Sequence, residues 1–204
     1  MKSTGNKTYD QISHLITERP YSMNTLKLSF PYSYAASLVD LNWYDIFLAI
    51  KQGYLDHRSA IEHAQLLLEC DEYSQTVLDL ACIYPEDAIF PHSIDPYISE
   101  LADTVSEEEK DLSKDKIMYV LLRWVYEHGS GLDDSYYDDP LNVVESIFDD
   151  FGFPESIARF ASWRNLPISM VEQDLGSVEK NKARLLEYWK QFLDEQQKRW
   201  KKVS

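Results

Sequence analysis

From Trp124 to Ala158 the chain has no lysine and no arginine, while nine carboxylates (Glu127, Asp133, Asp134, Asp138, Asp139, Glu145, Asp149, Asp150, Glu155) occupy the same stretch. A window of one sign sets up a field that steers cationic partners. Cations are scarce over most of the chain. Residues 1–179 hold 12 Lys+Arg against 32 Asp+Glu, a net of −20, whereas residues 180–204 hold 8 against 3, a net of +5. Bare nucleic acid is thereby excluded as a ligand of the body, because polyanion binding rests on Lys and Arg contacts that release condensed counterions. An anionic membrane surface is repelled for the same reason. Apolar runs are short as well. None approaches the roughly 18 residues that cross a bilayer, and Met1 to Asp10 lacks the apolar segment of a secretory signal, so the cytoplasm is the expected location. Only two cysteines occur, Cys70 and Cys82. Their spacing matches neither a CxxC redox pair nor a zinc knuckle, and both are expected to be small buried apolar residues.

Catalytic motifs are missing too. There is no Gly-x-Ser-x-Gly elbow and no His-Glu-x-x-His. His57 and His63 differ by about 240° around a helix and cannot share a metal at the spacing zinc proteases use. His14, His92 and His128 stand alone near loops or helix ends and read as solvated or capping. Asp150-Phe151-Gly152 copies the magnesium-binding triplet of protein kinases, yet neither a Gly-rich phosphate loop nor His-Arg-Asp accompanies it. It reads as a core phenylalanine followed by a helix stop. Asp133-Asp134 and Asp138-Asp139 flank Tyr136-Tyr137, whereas a calcium loop needs carboxylates at alternate positions, a central glycine and a terminal glutamate. No catalytic residue, metal ligand or cofactor is assigned.

What is present is helical grammar. With 204 residues, 44% of them hydrophobic, the chain can bury a core in one domain or at most two small lobes. Residues 1–24 form a polar N-terminal segment, and Thr25–Phe30 alternates weakly, which predicts a short extended segment before Pro31. A helix over Leu41–Gly53 follows, with Asn42 as N-cap, Gly53 as stop, and Trp43, Ile46, Phe47 and Ile50 on one face. Asp56 caps a second helix with Ile61, Ala64, Leu67 and Leu68 as its stripe, and Tyr73–Tyr84 forms a third. Pro85, Pro91 and Pro96 break regular structure, making 85–96 the candidate lobe boundary within a single helical domain over 25–204. One short helix is expected within Ile94–Val105. Ser113–His128 is apolar on nearly every side and belongs at the centre. Asp139-Pro140 opens a helix ending at Gly152, Pro154 restarts a short one through Ile157, Phe160 and Ala161, a loop surrounds Pro167, and Ser177 opens the last helix, to about Trp200. Its stripe is Val178, Leu185, Leu186, Trp189, Phe192 and Leu193, and its basic end carries Lys198, Arg199, Lys201 and Lys202. The expected fold is all-α, an irregular bundle of about eight helices with no fixed-period repeat.

The acidic window divides on this reading. Leu141, Val144, Ile147, Phe148 and Phe151 belong to the core. Asp133, Asp134, Tyr136, Tyr137, Asp138 and Asp139, with Asp149 and Asp150 on the outward face of the helix, form the candidate partner-binding surface. Tyrosines give stiff contact area and carboxylates speed encounter with a cationic target. The competing reading is a solvated acidic loop whose tyrosines cover the neighbouring core.

Three segments carry a family resemblance: Leu41-Asn42-Trp43-Tyr44-Asp45 with Ile50-Lys51-Gln52-Gly53-Tyr54-Leu55; Asp139-Pro140-Leu141 leading to Asp149-Asp150-Phe151-Gly152-Phe153-Pro154-Glu155; and Asp174-Leu175-Gly176-Ser177 leading to Leu185-Leu186-Glu187-Tyr188-Trp189. Over roughly residues 40 to 195 the chain resembles a bacterial family of small uncharacterised cytoplasmic proteins, a domain of unknown function. The resemblance implies a single bacterial domain and transfers no catalytic residue. Small acidic proteins of this kind resemble, as a class, immunity proteins that neutralise secreted toxins, frequently nucleases with basic active sites. The expected function is therefore an acidic protein-binding module, immunity- or antitoxin-like, that blocks a basic partner. A carboxylate-based metal-dependent enzyme or regulator is one alternative. The other is a structural subunit that self-associates by its basic tail meeting its acidic body.

Overall fold

Asn42 and Asp45 illustrate how local chemistry sets the helix ends. The Asp45 backbone N–H donates to Asn42 Oδ1 at 2.9 Å and the Asn42 N–H donates to Asp45 Oδ2 at 2.8 Å, a reciprocal capping box that satisfies two donors the helix leaves orphaned. Gly53, at φ 75°, closes the other end in a conformation only glycine adopts without strain. The computed structural model describes residues 24–69, 73–161 and 177–200. Among them the chain forms nine α-helices and no strand: α1 (Tyr32–Leu38), α2 (Trp43–Lys51), α3 (Arg58–Leu68), α4 (Gln75–Ala81), α5 (Pro91–Asp103), α6 (Glu107–His128), α7 (Pro140–Asp150), α8 (Glu155–Ala161) and α9 (Val178–Trp200). Two 3-10 turns lie at Asp87–Ile89 and Ser135–Asp138. The all-α expectation holds.

Several local expectations are corrected. Thr25–Phe30 forms no strand, although Leu28 and Phe30 are buried and Ser29 between them is exposed. The helix α1 was not expected. Pro96 does not break the chain: it lies inside α5, which begins at Pro91 rather than near Ile94. The carbonyl that loses its partner there belongs to His92, and both residues are exposed, so that carbonyl is not left in the apolar core. The central helix begins at Glu107, six residues before Ser113, because Ser106 and Glu109 form a second capping box. Cys82 is exposed rather than buried, and Val178 lies outside the buried stripe. Cys70, His14, the Pro167 loop, Lys201 and Lys202 lie outside the described residues.

Packing is organised around α6. Ile117 to Leu122 and Val125 are all buried, so the middle turns of this helix meet neighbours on every side: α2, α7 and α9 pack against it. On one flank α3 packs on α4 and α5 on both α2 and α4; on the other, α8 bridges α7 and α9. One buried apolar cluster runs from Leu28 to Leu193.

A partly exposed clasp locks the α2–α5 side. Lys51 Nζ donates to Asp95 Oδ2, and His57 Nε2 lies 3.1 Å from Oδ1, tying the end of α2 and the entry to α3 onto α5. Burial pushes the Asp95 carboxyl up, but Lys51 and His57 outweigh it and hold the group below its ordinary value. A lowered carboxyl contributes stability that is present above the unfolded-chain value, about 3.9, and is lost as pH falls through the folded one. Asp95→Asn is therefore expected to cost about 0.5–1 kcal/mol at neutral pH, the partial exposure of all three side chains limiting the loss. It should also make urea stability fall less steeply below about pH 4.

Candidate functional site

The acidic window opens where α6 ends. Gly129 (φ 76°) turns the chain off the helix, and the connection to α7 then folds into the 3-10 turn Ser135–Asp138. Asp134 nucleates that turn, because its Oδ1 accepts the Tyr136 N–H at 2.9 Å while its carbonyl accepts the Tyr137 N–H at 2.9 Å. From the α7 side Asn142 Nδ2 donates to the Tyr136 carbonyl at 2.6 Å. Tyr137 packs against the core. Tyr136 stays 45% exposed with its ring perpendicular to that of Tyr137, centroids 5.0 Å apart. The turn is thus held from within and presents one phenol outward.

The six carboxylates among the eight predicted contact residues separate into four groups. Asp133 and Asp138 are exposed, and among the described residues their carboxylates make no hydrogen bond or ion pair. Asp134 is exposed but shapes the turn. Asp139 serves the fold: Oδ1 caps α7 by accepting the Leu141 N–H at 3.1 Å, and Oδ2 pairs with Lys182 Nζ of α9 at 2.5 Å. A cation thus reaches the window in space though none lies in it along the chain. Asp149 and Asp150 stand at the far end of α7, about 15 Å from Asp139 for an 11-residue helix, so the eight residues do not form one site. Asp150 Oδ2 accepts both the Thr25 N–H (2.9 Å) and the Thr25 hydroxyl (3.0 Å). Burial raises its carboxyl above the ordinary value, with Asp149 adding and Thr25 opposing.

The histidines and the kinase-like triplet have structural partners. His63 Nδ1 lies 2.9 Å from the Tyr32 hydroxyl, and the His128 ring stacks on Trp124. Phe151 stacks on Tyr54 at 5.8 Å, and Gly152 turns at φ 79°. Among the described residues no three His, Cys, Asp or Glu side chains converge to hold a metal ion, and no helix is long and apolar enough to cross a membrane. The turn presents carboxylate acceptors, Asp133 and Asp138, beside the exposed Tyr136 phenol.

Sequence reasoning missed a second surface. The window at 124–158 is not the longest stretch without cations: Ser59 to Glu109 spans 51 residues with no Lys or Arg and thirteen carboxylates. Within it, the connection from α4 to α5 exposes Tyr84, Ile89 and Phe90. Counting the gaps between cations along the whole chain is the signal that finds it.

Fold and composition together define an acidic all-α protein. The chain belongs to the bacterial family DUF2247, described as an uncharacterized protein conserved in bacteria, whose family model matches residues 32–197. No curated protein and no solved structure matches it.

Proposed function

We propose that the chain is a cytoplasmic protein-binding module, immunity- or antitoxin-like, whose acidic turn docks on a basic partner such as a nuclease toxin and covers that partner's substrate cleft. The observation that carries this reading is the pairing of two free carboxylates, Asp133 and Asp138, with exposed Tyr136 on a turn already held by Asp134 and Asn142. A preorganised turn loses little freedom on docking, and a tyrosine offers contact area at low entropic cost. Net charge favours a protein partner over nucleic acid or membrane. Within α9, Lys182 pairs with Asp139 and Arg199 with Asp115 of the same chain, which favours an outside partner over self-association through the tail. Asp139 and Asp150, engaged internally, leave the contact set.

The test takes the product of the adjacent gene, expected to be a toxin domain. Coexpression of the chain should restore growth to cells making that domain. Asp133→Asn with Asp138→Asn should slow association about tenfold at low salt and flatten its salt dependence, while Tyr136→Ala should act on the dissociation rate. Absence of rescue, or unchanged kinetics in the carboxylate variant, rejects the reading.

A further inference from the structure

We infer that the connection between α4 and α5 is a second docking surface, separate from the turn at 135–138, and that its occupant is a cationic amphipathic segment of a partner protein. Tyr84, Ile89 and Phe90 are 73%, 65% and 54% exposed. Three large apolar groups displayed within seven residues are a cost to an isolated chain and mark a contact surface.

The segment that carries them is held in shape. Ala88 is buried and Ile83 packs on the core. The Asp87 N–H donates to the Tyr84 carbonyl at 2.8 Å, the Phe90 N–H to the Asp87 carbonyl at 3.1 Å, and the Ser93 N–H to the Phe90 carbonyl at 2.9 Å. These three backbone bonds and the buried Ala88 hold the segment with the three side chains exposed, which is preorganisation for binding rather than a frayed loop. Phe90 and exposed His92 lie with rings 5.7 Å apart, extending the aromatic surface.

Charge complementarity identifies the occupant. Glu86 and Asp87 stand among the apolar groups, and the flanking run supplies no cation from Ser59 to Glu109. A segment with an apolar face and lysine or arginine at its margins satisfies both features: its apolar side chains cover Tyr84, Ile89 and Phe90, and its cations meet the carboxylates. A second copy fits poorly, because a two-fold contact would set the same anionic run against itself on two chains of net charge −15.

The test is a titration of the isotope-labelled full chain, followed by backbone amide NMR. The probe is an amphipathic helical peptide of lysine and leucine, compared with a peptide of identical composition scrambled to remove the apolar face. Shifts are expected to concentrate at residues 82–92 for the amphipathic probe. The double variant Tyr84→Ser with Phe90→Ser should weaken its binding at least tenfold with an unchanged melting temperature, as both residues are exposed. Asp133→Asn with Asp138→Asn should bind the probe normally, so this inference and the toxin reading fail or stand separately. The inference is overturned if the scrambled peptide binds as well, if shifts centre on 133–139, if the amphipathic probe does not bind, or if the Tyr84/Phe90 variant binds unchanged. It is also overturned if sedimentation of the chain alone shows a dimer that the same variant abolishes.

Discussion

Replacing Lys116 by methionine is expected to destabilise the protein by about 3–5 kcal/mol, because it strands a carboxylate in the core. Asp45 on α2 is 0% exposed. Its Oδ2 accepts both the Asn42 N–H and Lys116 Nζ, the latter at 2.5 Å across 71 residues of sequence, and its Oδ1 is buried with no hydrogen-bond partner among the described residues. Lys116 also donates to the Asp40 carbonyl at 3.0 Å. Asp45→Ala should be the milder break, although it also removes half of the α2 capping box. The Lys116 ammonium borders a cleft of 330 Å³ lined by Asp40, Asn42, Glu109 and Arg199, and a long flexible stem can carry it toward water there, which a short carboxylate on a buried helix face cannot do. The double change Asp45→Leu with Lys116→Met should recover more than half of the Lys116→Met loss, since a buried pair replaced by apolar groups is often near neutral. Urea unfolding of Lys116→Met, Asp45→Leu and the double variant forms a double-mutant cycle. Additive single losses would show that the pair is not a coupled unit.

That ion pair marks the limit of what sequence reading can reach. The ends of α2 and α7 were legible because their signals are local: Asn42 and Gly53 in one, Asp139, Pro140 and Gly152 in the other, each acting on backbone groups within a few residues. The first turns of α6 were missed although the Ser106–Glu109 box is equally local; the apolar pattern used to find the helix starts only later. Helix α1 had no such signal. Its seven residues include two serines and two tyrosines and are held by distant partners, Tyr32 by His63 and Tyr34 by Glu127 and Trp124.

The candidate site followed the same division. Its position in an acidic loop before α7 was readable from Asp-Asp-Ser-Tyr-Tyr-Asp-Asp, but the 3-10 turn Ser135–Asp138 was not. Asp139 and Asp150 looked equally free in sequence, yet Lys182 and Thr25 engage them from 43 and 125 residues away. No local pattern distinguishes a carboxylate awaiting a partner protein from one already paired within its own fold. The exposed aromatic connection at 84–90 was hidden differently: its prolines read as a break, which turned attention from what the segment displays.

Trp189→Ala is expected to cost about 3–5 kcal/mol, and Trp189→Phe under about 1.5 kcal/mol, a gap wider than ring size alone predicts. Trp189 is 0% exposed and fastens α9 to the bundle, its ring nearly parallel to Phe160 of α8 at 6.2 Å and edge-on to Tyr126 of α6 at 5.1 Å. Alanine removes these contacts and leaves a cavity between three helices. Phenylalanine keeps the stacking partners and also deletes the indole Nε1, which is buried with no hydrogen-bond partner among the described residues. An unsatisfied buried N–H costs about 1–3 kcal/mol, so the wild-type protein already bears a penalty that phenylalanine relieves and that offsets part of the lost ring volume. Chemical denaturation gives the two losses, and hydrogen exchange locates them. In the alanine variant the amides of α9 should exchange through local undocking before those in the middle of α6, because α9 meets the core along one stripe whereas Lys116 to Leu122 of α6 are buried on every face. If phenylalanine costs as much as alanine, the indole N–H contributes a bond that its surroundings do satisfy; if α6 exchanges together with α9, the last helix belongs to the same cooperative unit as the centre.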